Sequence, residues 1–167
     1  MSDGRIEPPW NERIAPCVHE AGHAVIAHAL GATVVSVVVN QDGSGQSMIK
    51  EADPRKGVHI RVAGYIAELR YCELVGGCPA DRHPSLSTSD DNERAWEQAK
   101  VACPGNLAQA SRLLAEAKDA ATTMVAEEWA RIERLAVALC SSPGRILKSR
   151  SLKELLEEVV TDDSCGC

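Results

Sequence analysis

His19 and His23 stand four residues apart and bracket Glu20 in the run V-H-E-A-G-H. On a helix, side chains at i and i+4 share a face, so both imidazoles can hold one metal ion while Glu20 sits beside it. Neutral imidazole suits zinc, and a catalytic zinc site keeps an open position for water. An adjacent carboxylate can take that water's proton as it attacks a peptide carbonyl polarised by the metal. The pattern points to a zinc-dependent peptidase with His19 and His23 as ligands and Glu20 as general base. The plainer reading of the same residues is a helix with two partly buried histidines paired to acids.

A catalytic zinc site needs a third protein ligand, and His28, Glu68, His83, Asp90 and Asp91 are the candidates. In metzincins the third histidine comes ten residues after the first with a glycine between. Here His28 comes nine after His19 and no glycine takes that place, so His28 reads as a helix-surface or core histidine. Glu68, within AGYIAELR, would suit a site completed by a glutamate from a following helix, although an ion pair is the ordinary use of such a residue.

These side chains need elements to position them. Ile14 to Leu30 reads as a helix rich in Ala, Val and Ile, stopped by Gly31. Thr33 to Asn40 is valine-rich, QDGSG forms a turn, and Gln46 to Lys50 follows, which predicts a short hairpin and is the only convincing β signal. Val58 to Leu74 places Val62, Ile66 and Leu69 at helical spacing before Gly76 and Gly77. Residues 77–89 read as a loop, after which Thr88 or Ser89 caps a helix from near Asp90 toward Val101. Pro104 and Gly105 break that helix. Another, from Leu107, leads into a longer one with a stripe of Val125, Trp129, Ile132, Ala136 and Leu139. SSPG at 141–144 then precedes a last helix, Leu152 to Val160. The expected fold is mainly α with a small β-hairpin or sheet, an α+β domain filling residues 1–167, with residues 1–13 a loose leader and 161–167 a loose tail.

Composition narrows the function classes. A chain of 167 residues suits one domain, and 44% apolar with 25% charged residues is ordinary for a soluble globular protein. With 3% aromatic residues and no Phe, the core must be built from Ala, Val, Leu and Ile. A net charge of -6 without a basic run argues against nucleic acid as a partner. No apolar stretch approaches the roughly 20 residues that span a bilayer, and the first ten residues lack a signal peptide's apolar segment, so the expectation is a cytoplasmic protein without membrane contact. Seven cysteines with no CxxC spacing speak against a disulfide framework and a structural zinc knuckle, leaving most as reduced core thiols, with Cys165 and Cys167 an exposed pair in the tail where metal binding or oxidation is the alternative use.

Several segments in order resemble the peptidase domain of the FtsH-type ATP-dependent zinc proteases. HEAGH is the most specific of them. The valine strand followed by SGQSMIKEADP is similar to that family's strand and edge strand, VAGYIAELRY to its Gly- and Ala-rich second helix, and STSDDNERAWEQAK to its TGAxNDLxxAT segment. WARIERLAVAL and LKELLEE look like its C-terminal helix pair, so the resemblance covers most of residues 14–160. It implies an FtsH-type peptidase helical bundle with one zinc ion on His19, His23 and Asp91, Glu20 as base and Glu68 near the metal. It also implies that Gln46, Ser47, Met48 and Ile49 form an edge along which an extended substrate adds as another strand. The chain departs from the family at Tyr65 and Ile66, in a loop from Glu51 to Lys56 that looks shortened, and in Asp90 where the family has asparagine. No P-loop occurs, and the dipeptide Gly-Lys is absent, so ATP use is not expected of this chain.

The combined expectation is a zinc endopeptidase acting on unfolded or flexible polypeptide, with a separate ATPase as the partner that folded substrates would require. Monomer, dimer and hexamer are all compatible with the sequence. Two other readings use the same residues: a non-catalytic module that binds zinc or peptide, and a zinc hydrolase of a small amide. Glu20 favours an enzyme, because a binding module has no need of a base.

Overall fold

Pro16 in a first helical turn lacks only an N–H that would have no intrahelical partner there, and Gly31, at φ 80°, takes the left-handed turn that ends the helix. Between them runs α1, Ala15–Ala29, of which Cys17 to Ala27 are all buried. The structure, a computed structural model, describes residues 10–82 and 89–157. The expected tail with Cys165 and Cys167, the end of the last helix, Thr88 and His83 lie outside the described residues, as do residues 1–9 of the leader.

Strands β1, Thr33–Val39, and β2, Gly45–Lys50, pair antiparallel, with Val39 opposite Gly45 and Val37 opposite Ser47. Gly43 supplies the positive φ of 86° that their tight connection requires. A third strand, β3, Ile146–Lys148, pairs with the far side of β1, giving the order β2-β1-β3 and leaving β2 at the sheet's edge. The sequence does not announce β3: it is three residues long, and only Leu147 within it is buried.

Helix α2, Pro54–Leu74, starts four residues before the expected Val58. Asp53 accepts a hydrogen bond from the Arg55 N–H and Pro54 opens the first turn, so the expected loop over 51–56 ends at its cap. This helix is central. One side packs on α1; the other packs on α3, Ser89–Ala102, and α4, Leu107–Glu127, through Val58, Val62, Ala95, Ala99, Ala117 and Ala121. Burial on two sides explains why α2 carries no clean apolar stripe.

Glu128 interrupts the expected long helix. Val125 therefore lies near the end of α4, while Ile132, Ala136 and Leu139 are buried on α5, Trp129–Ser141. The closing helix α6, Ser149–Glu157, begins three residues before the expected Leu152. Leu152 and Leu156 of α6 join α1, β1, α2 and α5 in the main core. The last residues of the expected leader lie against this core: Trp10 stacks on Tyr71 with ring centroids 4.9 Å apart, and Asn11 donates its N–H to the Tyr71 hydroxyl oxygen at 2.9 Å.

The result is a mainly helical α+β fold with a small antiparallel sheet, as the sequence pattern implies. No helix among the described residues is long and apolar enough to cross a membrane. The cysteine reading needs one correction. Cys72 and Cys78 form a disulfide, with Cα atoms 5.2 Å apart, because the turn after α2 folds Cys78 back onto the helix's last turn. Cys17, Cys103 and Cys140 are free thiols.

Candidate metal centre

The face of α1 that carries His19 and His23 lies against α2 because both helices carry small residues where they meet. A Cβ added to Gly22 would fall 2.6 Å from Ala67 Cβ and 2.9 Å from the Ala63 carbonyl oxygen. A Cβ on Gly64 would fall 2.8 Å from His19 Nε2 and 2.7 Å from His23 Cε1, so glycine there leaves room for both imidazoles. Such spacings are below any real contact distance, so this pair of helices is specified by what its residues lack.

His19, Glu20 and His23 are each less than a tenth exposed. The His23 Nδ1 donates to the Ile60 carbonyl at 2.7 Å, since a carbonyl can only accept. His19 Nδ1 lies 3.0 Å from Glu68 Oε2, the buried carboxylate that receives its N–H. Both rings are thereby fixed with Nε2 pointing into one cleft, the usual way protein partners orient metal-binding histidines. Asp91, in the first turn of α3, completes the group: its Oδ2 lies 3.0 Å from His19 Nε2 and 3.2 Å from His23 Nε2. The two Nε2 atoms are 3.1 Å apart.

That triangle fits a cation. Donors about 2.0–2.1 Å from a tetrahedral zinc lie roughly 3.3 Å from one another. Two ring nitrogens and a carboxylate oxygen gathered this closely need a shared positive charge. In the metal-free chain a proton serves: although burial pulls His19 down, hydrogen bonds to Asp91 and Glu68 push it up to about 10. Burial acts on Asp91 in the opposite sense, yet the two histidines hold its carboxyl well below the ordinary range. His19, His23 and Asp91 would hold a bound ion, with its identity unassigned by geometry alone.

Glu20 is held from the hairpin. The Ser47 hydroxyl lies 2.7 Å from Glu20 Oε2, while Oε1 has no hydrogen-bond partner among the described residues. A Cβ at Gly45 would stand 2.5 Å from Glu20 Cγ and Oε1, so this glycine makes space for the carboxylate. The cleft, of about 300 Å³, is lined by the triad, Glu20, Glu68, the hairpin from Gly43 to Ser47, and residues of α2 and α3.

Of the residues expected at the site, His19, His23, Asp91, Glu20 and Glu68 converge. Gln46, Ser47 and Ile49 line the cleft, whereas Met48 is not among its lining residues and is 49% exposed. Asp90 lines the cleft without reaching the histidines, and His28 is a half-buried residue in the last turn of α1. Sequence reasoning did not single out Ile60, whose contribution is a backbone carbonyl, nor Arg61, whose Nη1 lies 3.4 Å from Asp91 Oδ1. Gly64 was legible only within a Gly- and Ala-rich helix pattern.

No curated protein matches the chain. Residues 10–75 match the family model described as Peptidase M50B-like, a segment holding His19, Glu20, His23 and Glu68 but ending before Asp91, and this similarity supports a metallopeptidase domain.

Proposed function

We propose that this chain is a zinc-dependent metalloendopeptidase of FtsH-like arrangement, hydrolysing peptide bonds in unfolded or flexible polypeptide. The observation that carries the reading is the pairing of a three-donor cluster with an oriented carboxylate in one cleft: His19, His23 and Asp91 on one side, Glu20 Oε1 free on the other. A zinc ion held there would supply Lewis acidity, polarising the scissile carbonyl and acidifying the attacking water. Glu20 Oε1 accepts the water's proton and passes it to the leaving amine, while Ser47 keeps Oε2 occupied and the carboxylate in place. Glu68 and the Ile60 carbonyl hold the two Nδ1–H groups, so neither ring can rotate away from the cleft. Being at the sheet's edge, β2 has main-chain groups for an extended substrate to pair with, which would select backbone more than side chain.

Metal analysis together with cleavage of an unfolded protein, comparing the wild type with Glu20→Gln, tests this. Both proteins should contain about one zinc ion, and the variant should lose activity by a factor of roughly 100 or more, the scale of general-base catalysis. Zinc in both with cleavage by neither would replace this reading with a zinc- or peptide-binding module.

A further inference from the structure

The acids and cations of the cleft are unevenly used. Glu68 and Asp91 are engaged by the histidines, and Glu20 by Ser47. Two guanidinium groups line the same cleft from different helices: Arg61 on α2 and Arg94 on α3. Arg61 makes one long contact, to Asp91 Oδ1 at 3.4 Å, and its side chain is 34% exposed, so this single contact leaves most of its five N–H donors without a protein acceptor among the described residues. Arg94 is exposed, follows Asp91 by one helical turn, and has no hydrogen bond or ion pair among the described residues. Asp90 is the one lining acid that the three pairings above do not use.

A peptide whose carbonyl lies at the His19–His23–Asp91 cluster, with its backbone along β2, has the α2–α3 side of the cleft beside its flanking residues. That side offers two forked donors suited to a carboxylate. We propose that Arg61 and Arg94 form an anion-recognising subsite, so that the enzyme prefers polypeptide with a carboxylate close to the scissile bond. The carboxylate is either an acidic side chain or a free chain terminus. This inference rests on the peptidase reading and deepens it by naming the substrate class. Arg61 has a further duty, since it contacts Asp91; Arg94 makes no hydrogen bond or ion pair with His19, His23 or Asp91 among the described residues and is the cleaner position to alter.

The probe is a short unstructured peptide with Glu near its cleaved bond, matched by versions with Gln or Lys there, each with a free or an amidated C-terminus. Affinity is read by fluorescence anisotropy on zinc-loaded Glu20→Gln protein, which does not turn over, and kcat/KM on protein with Glu20 intact. The Glu peptide should bind about tenfold more tightly than the Gln peptide at low salt, as one charge-assisted pair provides, and the preference should shrink as salt rises. Arg94→Ala should cut that ratio several-fold, and Arg94→Glu should turn it toward the Lys peptide. If the advantage follows the free C-terminus instead of the Glu side chain, the subsite stands with a terminal carboxylate as its ligand. Equal affinity for all peptides, or a Glu preference that survives Arg94→Glu, overturns the proposal. Selective binding without hydrolysis would remove the peptidase reading and leave the subsite, so the two failures are distinguishable.

Discussion

At the residue scale, the position of Glu20 is set by its neighbour Ser47. A carboxylate beside two imidazoles has several rotamers open to it, and the 2.7 Å hydrogen bond from Ser47 selects one. Ser47→Ala should keep zinc content and KM for an unfolded peptide close to the wild type while lowering kcat by about tenfold, the worth of one hydrogen bond to a charged group. Ser47→Thr, which retains the hydroxyl, should recover most of the loss. A fall in kcat shared by both variants would mean that strand geometry and not the hydroxyl matters. The histidine pair and Glu20 were legible because a helix makes i and i+4 neighbours, a rule that needs only local structure. Ser47 was legible as a β2 residue, but not as the partner of Glu20, because that contact joins residues 27 positions apart on different elements. The place of Asp91 beside the two histidines was legible through family resemblance alone; the residue types by themselves leave His28, Glu68, His83 and Asp90 as candidates beside it.

At the scale of elements, the α1–α2 contact decides whether the site exists. Gly22 and Gly64 allow the two helix backbones to approach, and Gly64 also gives the imidazoles their space. Gly64→Ala is favourable for an isolated helix by about 1 kcal/mol, since alanine is the better helix former. Here its methyl group would meet both rings, and overpacking of this kind typically costs about 1–3 kcal/mol. The expected outcome is a folded protein with metal affinity reduced at least tenfold, measured by competition with a chromophoric chelator; unchanged affinity would show that α2 yields by simple displacement. The same elements show how far sequence patterning reaches. α1 and the hairpin were legible because Gly31 and the QDGSG turn punctuate them. The start of α2 carries no apolar spacing, because Pro54, Arg55 and Lys56 belong to the helix by virtue of the Asp53 cap and the proline at its first position. The β3 strand is defined by pairing with β1, which no window of three residues can reveal.

At the scale of the molecule, a bound ion would join parts of the fold that otherwise meet through α2. His19 and His23 come from α1 and Asp91 from α3, and each of these helices packs on α2. A ligand that binds only the folded state adds stability by mass action, about 2.7 kcal/mol when free metal is 100 times its Kd. For a domain of this size that corresponds to a rise in Tm of roughly 5–10 °C on adding zinc to chelator-treated protein. The size of the rise depends on pH. In the metal-free fold His19 is raised from 6.5 to about 10, so its proton contributes stability that is complete below about pH 6.5 and is lost as pH climbs through about 10. Zinc must displace that proton from Nε2, so its net effect is smallest in acid and grows with pH. Calorimetric scans of the wild type with chelator and with zinc should therefore show a larger difference at pH 8 than at pH 6. Asp91→Ala should nearly abolish the difference at both values, since two histidines alone hold zinc weakly. A zinc-induced rise that survives Asp91→Ala would place the third ligand elsewhere, with Asp90 and Glu68 next in line, and would separate the helix that carries Asp91 from the function of the cleft.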